Sequence, residues 1–434
     1  MFLTVRAPIV LAVGIVPVVL LGGEEPWLVA GAWVVLCGVL AAIDVFAAPN
    51  PAALRVAREL PRRVKLGDAV VERLRLGNPT SRRIRGRARD AWQPTAGAPA
   101  ERVSFDLPPG ESRSYRVPLR PRRRGELRTE FLAVRVPGPL GIAGRQRLLR
   151  TPGVLRVLPP FHARKHLASR VARLRELDGS TSVQVRGHGT EFDSLREYVR
   201  GDDVRSIDWR ATARFGTTML RTWRPERDRH VVILIDSGRT AATRVGDATR
   251  LDAAFESALL LAALAQRAGD HVHLVAFDRA VRARVTGIDG PALLPALVDA
   301  LAPVEAQLID TDWDAAFSQA RALHHRPSLL VVLTAQEAPD AARSFLGTLG
   351  SMVSAGTVVL VGTATDTGLG EIARGRGGSD DIYVAAAAEA ALESARRVTA
   401  GIVRSGADAI ADTPEDLPPR IADRYLALKK AGRL

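Results

Sequence analysis

Between Glu191 and Asp208 the chain crowds Glu191, Arg196, Tyr198, Asp202, Asp203, Arg205 and Asp208 together, with Trp209 directly after them. Carboxylates interleaved with guanidinium groups have two uses. A pair of carboxylates in a cleft, one protonated and one ionised, performs general acid–base hydrolysis. The same residues also build ion-pair networks, which perturb charges in a similar way without catalysis. The local pattern favours the network. Gly201-Asp202-Asp203 is a turn whose aspartate can cap the helix that follows. Arg205 and Asp208 are spaced to pair at i, i+3, while Val204, Ile207 and Trp209 are placed to face a core. This segment is therefore expected to lock two domains together.

Other candidate groups are sparser. His271 and His273 share one face of a strand, but two histidines alone rarely make a site. His162 and His166 have helical spacing without an accompanying glutamate and are expected on the surface. Arg374-Gly375-Arg376-Gly377-Gly378 has the composition of a flexible loop. No phosphate-binding loop and no Ser-His-Asp arrangement is recognisable. The single cysteine, Cys37, excludes a disulfide framework and a cysteine-based zinc site.

The elements that must position these residues differ along the chain. Residues 231–235 and 329–333 are continuous apolar runs of the kind found in buried parallel strands. Residues 251–268 are apolar on nearly every helical face. Further strands are expected at 271–277, 280–285 (after a tight Asp278-Arg279 turn) and 358–361. Helices are expected from Pro291, from Asp312 and near 341–352. Helices alternating with apolar strands imply an α/β, doubly wound, mostly parallel sheet over residues 230–434. Ligands bind such sheets at the carboxyl ends of the strands. Residues 53–160 carry short alternating runs separated by Gly77-Asn78-Pro79, Pro108-Pro109-Gly110 and Pro137-Gly138-Pro139, the pattern of a smaller antiparallel β-sandwich. Residues 161–229 link the two.

Two uncharged apolar runs, residues 7–23 and 26–43, open the chain, separated by Glu24-Glu25. Each approaches the roughly 20 residues that a helix needs to cross a hydrocarbon core. Together they are expected to form a transmembrane hairpin over residues 1–50. Arg6 precedes the first run, and Arg55, Arg58, Arg62, Arg63 and Lys65 follow the second. The positive-inside rule then puts both ends in the cytoplasm. Asp44 falls at the inner end of the second run, where a carboxylate is expected to reach water. The net charge of +14 is concentrated behind this hairpin: residues 51–160 hold 25 Lys/Arg against 9 Asp/Glu. That excess faces the inner-leaflet lipids, whose anionic head groups attract it. Only four of the 61 cations are lysine, a bias typical of GC-rich genomes, so the charge is not read as a nucleic-acid signal.

The run from Glu191 through Arg196-Glu197-Tyr198, Gly201-Asp202-Asp203, Arg205 and Ile207-Asp208-Trp209 to Ala213-Arg214 closely resembles the signature of the domain of unknown function fifty-eight. The resemblance extends to Arg123-Arg124-Gly125-Glu126-Leu127, to Gly138-Pro139-Leu140-Gly141-Ile142 and to the final Tyr425-Leu426-Ala427-Leu428 segment. It implies a bacterial membrane protein with a von Willebrand factor A-like domain, often encoded beside a MoxR-type AAA+ ATPase. That fold holds Mg2+ through a strand-end Asp-x-Ser-x-Ser, a threonine on a second loop and an aspartate on a third, because hard cations need converging oxygen ligands. Here the resemblance assigns Asp236, Thr240 and Thr311 to the site. Gly238 replaces the middle serine and Ala335 the third-loop carboxylate, leaving a degenerate site unless Asp310, Asp312 or Asp314 compensates.

The sequence thus leads to a non-enzymatic interaction or scaffold protein of the cell inner membrane, with two transmembrane helices and its bulk in the cytoplasm. The resemblance implies a MoxR-type ATPase as partner, acting with it on other membrane or assembly proteins. The rival functions are a metal-dependent hydrolase and a basic nucleic-acid- or lipid-binding protein.

Overall fold

The computed structural model describes residues 1–23, 25–181, 191–199, 203–224, 229–246, 248–324, 326–366, 368–375 and 377–434. Glu24, Asp202, Gly201 and Arg376 lie outside them. The chain divides into two compact units, Met1–Pro159 and Pro160–Leu434.

The first unit opens with a short strand β1 (Phe2–Leu3) and three apolar helices, α1 (Arg6–Val13), α2 (Ile15–Leu21) and α3 (Pro26–Ala47). The first apolar run is therefore broken in two. Pro17 has no N–H for the carbonyl of Val13, so the helix is interrupted at Gly14. A side chain at Gly14 would collide with Trp33 of α3, whose indole N–H donates to the Val10 carbonyl at 3.2 Å. The two legs of the hairpin pack there. At 22 residues, α3 is about 33 Å long. Among the described residues it is the one helix long and apolar enough to cross a membrane; the first leg is shorter.

Asp44 departs from expectation. It does not reach water but is fully buried, because the backbone N–H groups of Leu140, Ile142 and Ala143 donate to its carboxylate at 2.7, 2.8 and 2.8 Å. The Gly-Pro-Leu-Gly-Ile segment is a turn that wraps this carboxylate. A Cβ on Gly138 would lie 2.1 Å from the Asp44 oxygen. The end of α3 is thereby fastened to the strands that follow.

Those strands are β2 (Arg55–Glu59), β3 (Arg63–Lys65), β4 (Val70–Gly77), β5 (Ile84–Asp90), β6 (Val103–Leu107), β7 (Ser112–Leu119), β8 (Gly125–Pro137) and β9 (Ala143–Leu158). One sheet runs β1-β9-β8-β5-β6 with β3 added parallel to β9; the other runs β2-β4-β7. Alternate residues point inward, so Leu74, Leu76 and Leu119 of the small sheet meet Ile84, Leu107, Leu132, Val134 and Val157 of the large one in a single core. This is the expected antiparallel sandwich.

The second unit begins with α4 (Leu167–Thr181), then a hairpin of β10 (Glu191–Glu197) and β11 (Met219–Arg224) with α5 (Trp209–Phe215) between them. The main sheet uses β12 (His230–Asp236), β15 (His271–Phe277), β16 (Val281–Val285), β17 (Leu329–Leu333), β18 (Val358–Ala364) and β19 (Asp408–Asp412). A two-stranded ribbon, β13 (Arg244–Val245) and β14 (Ala248–Thr249), precedes α6 (Arg250–Arg267). The remaining helices are α7 (Leu293–Leu301), α8 (Trp313–Leu323), α9 (Arg343–Ser354), α10 (Gly368–Ile372), α11 (Ser379–Arg404) and α12 (Leu417–Lys430).

The main-sheet order is β16-β15-β12-β17-β18-β19, parallel except for the β15–β16 hairpin. The apolar runs work on both faces. Val231, Ile233 and Ile235 pack with α6, α7 and α12, while Val232 and Leu234 pack with α8, α9 and α11. Helices cover both faces, the doubly wound arrangement expected from the sequence. Helix α6 starts with a Thr249/Asp252 capping box, and its residues 258–265 are all buried.

Candidate functional site

The carboxyl edge of the main sheet gathers three loops around Asp236. This buried carboxylate accepts hydrogen bonds from Thr311 Oγ1 at 2.5 Å, Thr334 Oγ1 at 2.6 Å, the Gly238 N–H at 2.8 Å and Thr240 Oγ1 at 3.3 Å. Asp236, Thr240 and Thr311 converge. Burial pushes the Asp236 carboxyl above the ordinary range, opposed by the hydroxyls of Thr311 and Thr334. Thr334 was not singled out in the sequence, although it follows an apolar strand and precedes Ala335, the two signals that mark a strand-end donor. Gly238 has a steric reason: a Cβ there would sit 2.3 Å from Thr311 Oγ1.

The three neighbouring aspartates do not compensate for Ala335. Asp310 pairs with Arg239 at 3.1 Å, Asp312 caps α8 through the Ala315 N–H, and Asp314 accepts from Thr348 of α9. Beside Asp236, Thr334 and Ala335 the space is about 10 Å³. A single carboxylate, already taking four donors in so small a space, does not fit a six-coordinate Mg2+. A second buried carboxylate, Asp278, sits nearby at the turn after β15. It accepts from Ser237 Oγ, from the amides of Arg279 and Ala280, and from Arg282 Nε at 2.6 Å. Burial pushes this carboxyl up, but Arg282 and the two amides outweigh that and hold it below the ordinary range. The edge is a polar knot that ties loops together.

The signature segment is arranged differently from the expectation. Asp203 accepts from the Arg205 N–H at 3.0 Å, and Asp208 caps α5 through the amides of Arg210 and Ala211, both at 3.0 Å. The i, i+3 partner is replaced: Asp208 Oδ2 takes Arg221 Nε of β11 at 2.7 Å. The Ala211 amide and then Arg221 hold the Asp208 carboxyl below its ordinary range. Arg196 donates to the Glu197 carbonyl, and the Tyr198 N–H to Thr218. Glu191 enters through its backbone, opposite Arg224. Trp209 does not face a core. It is 70% exposed and Val204 61%, because the inward positions of this small hairpin go to Ala211 and Leu220, with Ile207 half-buried opposite Leu220.

Two further polar clusters form only in the folded chain, one of them around the His271 and His273 pair. At the amino edge of the main sheet, His230 stacks on His324 at 3.7 Å and lies within about 5 Å of both His271 and His273, ring centre to ring centre. His230 Nδ1 meets His273 Nε2 at 2.9 Å, and His273 Nδ1 meets Thr286 Oγ1 at 2.7 Å. Burial, then the charges available to His230 and His324, pushes the His273 pKa down. The parallel pairing of β12 with β15, in register His230↔His271, brings three of these histidines together, and His324 at the end of α8 completes the stack. Inside the sandwich, Arg58 bridges Glu72 and Asp90, with Trp92 Nε1 donating to Glu72 at 2.8 Å and Thr129 Oγ1 to Asp90 at 2.7 Å. Burial, then the neighbouring Asp90, pushes Glu72 up to about 7. Among the described residues no group of three or more His, Cys, Asp or Glu side chains is set to hold a metal ion.

Comparison with curated proteins finds no match. Among solved structures, α2-macroglobulin from Escherichia coli, from domain MG7 to its C-terminus, is 15% identical over 26% of this chain and 17% of that one, with a TM-score of 0.22. The ASH/PapD-like domain 7 of human CEP192 is 13% identical over 25% of this chain and 89% of that one, with a TM-score of 0.19. The CARDB domain of PF1109 from Pyrococcus furiosus is 14% identical over 24% and 94%, with a TM-score of 0.20. These scores are too low to bear on function. The family model that matches is described as "Protein of unknown function DUF58" and covers residues 194–361. Residues 194–361 are thus occupied by a DUF58 domain.

Proposed function

We propose that this chain is a membrane-anchored interaction protein, whose helical hairpin spans the inner membrane twice and holds the two folded units in the cytoplasm. In this reading residues 1–50 are the anchor, 53–160 the sandwich, 161–229 the link with the family signature, and 230–434 a von Willebrand factor A-like domain. The partner is a MoxR-type AAA+ ATPase, and the pair acts on the assembly or maturation of other proteins. Glu191, Arg196, Tyr198, Asp202, Asp203, Arg205, Asp208 and Trp209 form the signature interaction segment. Asp236, Thr240 and Thr311 form a degenerate metal site that braces the carboxyl edge.

The observation that carries this reading is the Asp236 knot. It fixes the loops after β12 and β17 and the loop before α8 at the edge where doubly wound sheets present their ligand-facing surface. The strand order, with an antiparallel pair at one side, supports the von Willebrand comparison. A photo-crosslinking residue at position 239, exposed on that edge, tests the proposal in native membranes. Capture of an AAA+ ATPase is expected. Capture of other proteins without any ATPase would overturn the partner, and metal-dependent hydrolysis abolished by Asp236→Ala would overturn the scaffold role.

A further inference from the structure

We propose that the end of the sandwich carrying the hairpin is a docking collar for anionic phospholipid head groups, formed by Arg6, Arg82 and Arg145. The inference rests on reading α3 as a membrane span facing anionic inner-leaflet lipids, and adds to it the residues that meet the head groups. Strand β1 pairs with the start of β9, and α3 ends in the same loop, so both flanks of the hairpin emerge at one place. Three guanidinium groups are held there. Arg145 donates to the carbonyls of Val45 and Phe46 at 2.9 and 3.1 Å, Arg82 to that of Ala47 at 3.1 Å, and Arg6 to that of Leu140 at 3.5 Å.

These partners are neutral carbonyl oxygens, the last acceptors of α3 among them, so none of the three positive charges is cancelled by its partner. The carboxylate of Asp44, in the last turn of α3, is buried and occupied by backbone amides. Each guanidinium has five N–H donors and spends only one or two on these contacts, which leaves donors for phosphate oxygens in the geometry that arginine favours. Phe46, 79% exposed, and Leu140, 45% exposed, stand beside them as apolar neighbours suited to the head-group boundary. Fixed cations beside exposed apolar side chains, at the point where an apolar helix ends, match an anionic lipid surface in both charge and depth.

The test uses the full chain reconstituted in phosphatidylcholine vesicles with or without phosphatidylglycerol. Quenching by brominated lipids is read from a tryptophan placed beside the collar by Phe46→Trp, with Trp27 and Trp33 changed to phenylalanine. The chain so labelled and otherwise unaltered serves as the wild type, and its quenching gives the relative association of each lipid with that end of the hairpin. The wild type is expected to enrich brominated phosphatidylglycerol over phosphatidylcholine. The R6Q/R82Q variant, altered at two exposed side chains, is expected to lose about threefold or more of that preference while remaining in the vesicles. Equal association of both lipids with the wild type, or a preference untouched in R6Q/R82Q, would overturn the collar. Loss of the preference on adding inorganic phosphate would overturn it in favour of a free-phosphate site. Release of the chain from vesicles by an alkaline wash would instead overturn the membrane span, a distinguishable failure.

Discussion

Asp236 shows how one side chain can hold an edge together. Its two oxygens take three hydroxyls and one amide from three loops, and the carboxylate itself is buried. Asp236→Ala strands those donors, and leaving buried donors unmet should cost about 3 kcal/mol. A fall in urea midpoint of the full chain checks this, and an unchanged midpoint would mean that the knot does not brace the edge. The Glu72 and histidine clusters predict opposite pH responses. Glu72 is raised from 4.5 to about 7, so the folded state binds the proton more tightly than the unfolded one. Its contribution is full below about pH 4.5 and is lost as pH rises towards 7. His273 is lowered from 6.5, so folding favours its neutral form. Stability is full above about pH 6.5 and is lost as pH falls below it. Melts across this range should show Glu72→Gln flattening the loss on the alkaline side and His273→Gln flattening the loss on the acid side.

At the scale of elements, the contact between α3 and the sandwich depends on a turn with no room for another atom. Gly138→Ala would push a methyl group into the Asp44 carboxylate, which is held by three amides. We expect this variant to free the end of the helix from the turn while leaving the sandwich core, Leu74 to Val157, intact. Limited proteolysis should show faster cleavage around residues 48–54, and wild-type cleavage rates would contradict the fastening role. Hairpin β10–β11 makes the complementary point. Alternating charge and apolar residues suggested a buried lock, but the hairpin is too small to bury every apolar side chain. Ala211 and Leu220 take the inside, and Trp209 is left out.

For the whole molecule, topology follows from the hairpin. Its two basic flanks meet at β9, so both must lie on one side of any membrane that the helices cross. With Cys37→Ser to remove the native thiol, Glu25→Cys should react with an impermeant reagent from outside intact cells, whereas a cysteine at position 434 should not. Labelling at 434 would reverse the orientation.

The sequence by itself determined the sandwich strands and the most apolar elements of the main sheet, but not β10, β11, β19, α11 or α12, whose apolar pattern is weaker. Period-2 alternation and Gly/Pro turns specify the sandwich, and continuous apolar runs specify the strands and helix α6 of the doubly wound sheet. Burial is the largest local signal, and each residue carries it without reference to partners far along the chain. The apolar pattern marks the strand end at Asp236, while the family resemblance is what assigned Thr240 and Thr311 to the same site. Only the tertiary structure decided where polar groups meet. The Asp44 cradle joins residues nearly a hundred positions apart, and the histidine stack exists only because β12, β15 and the end of α8 lie side by side. Thr334 became a donor to Asp236 only once β17 paired with β12. A hydrogen bond depends on the relative placement of two atoms to within an ångström, and hydrophobic periodicity, which places elements by their apolar faces, carries no information at that resolution.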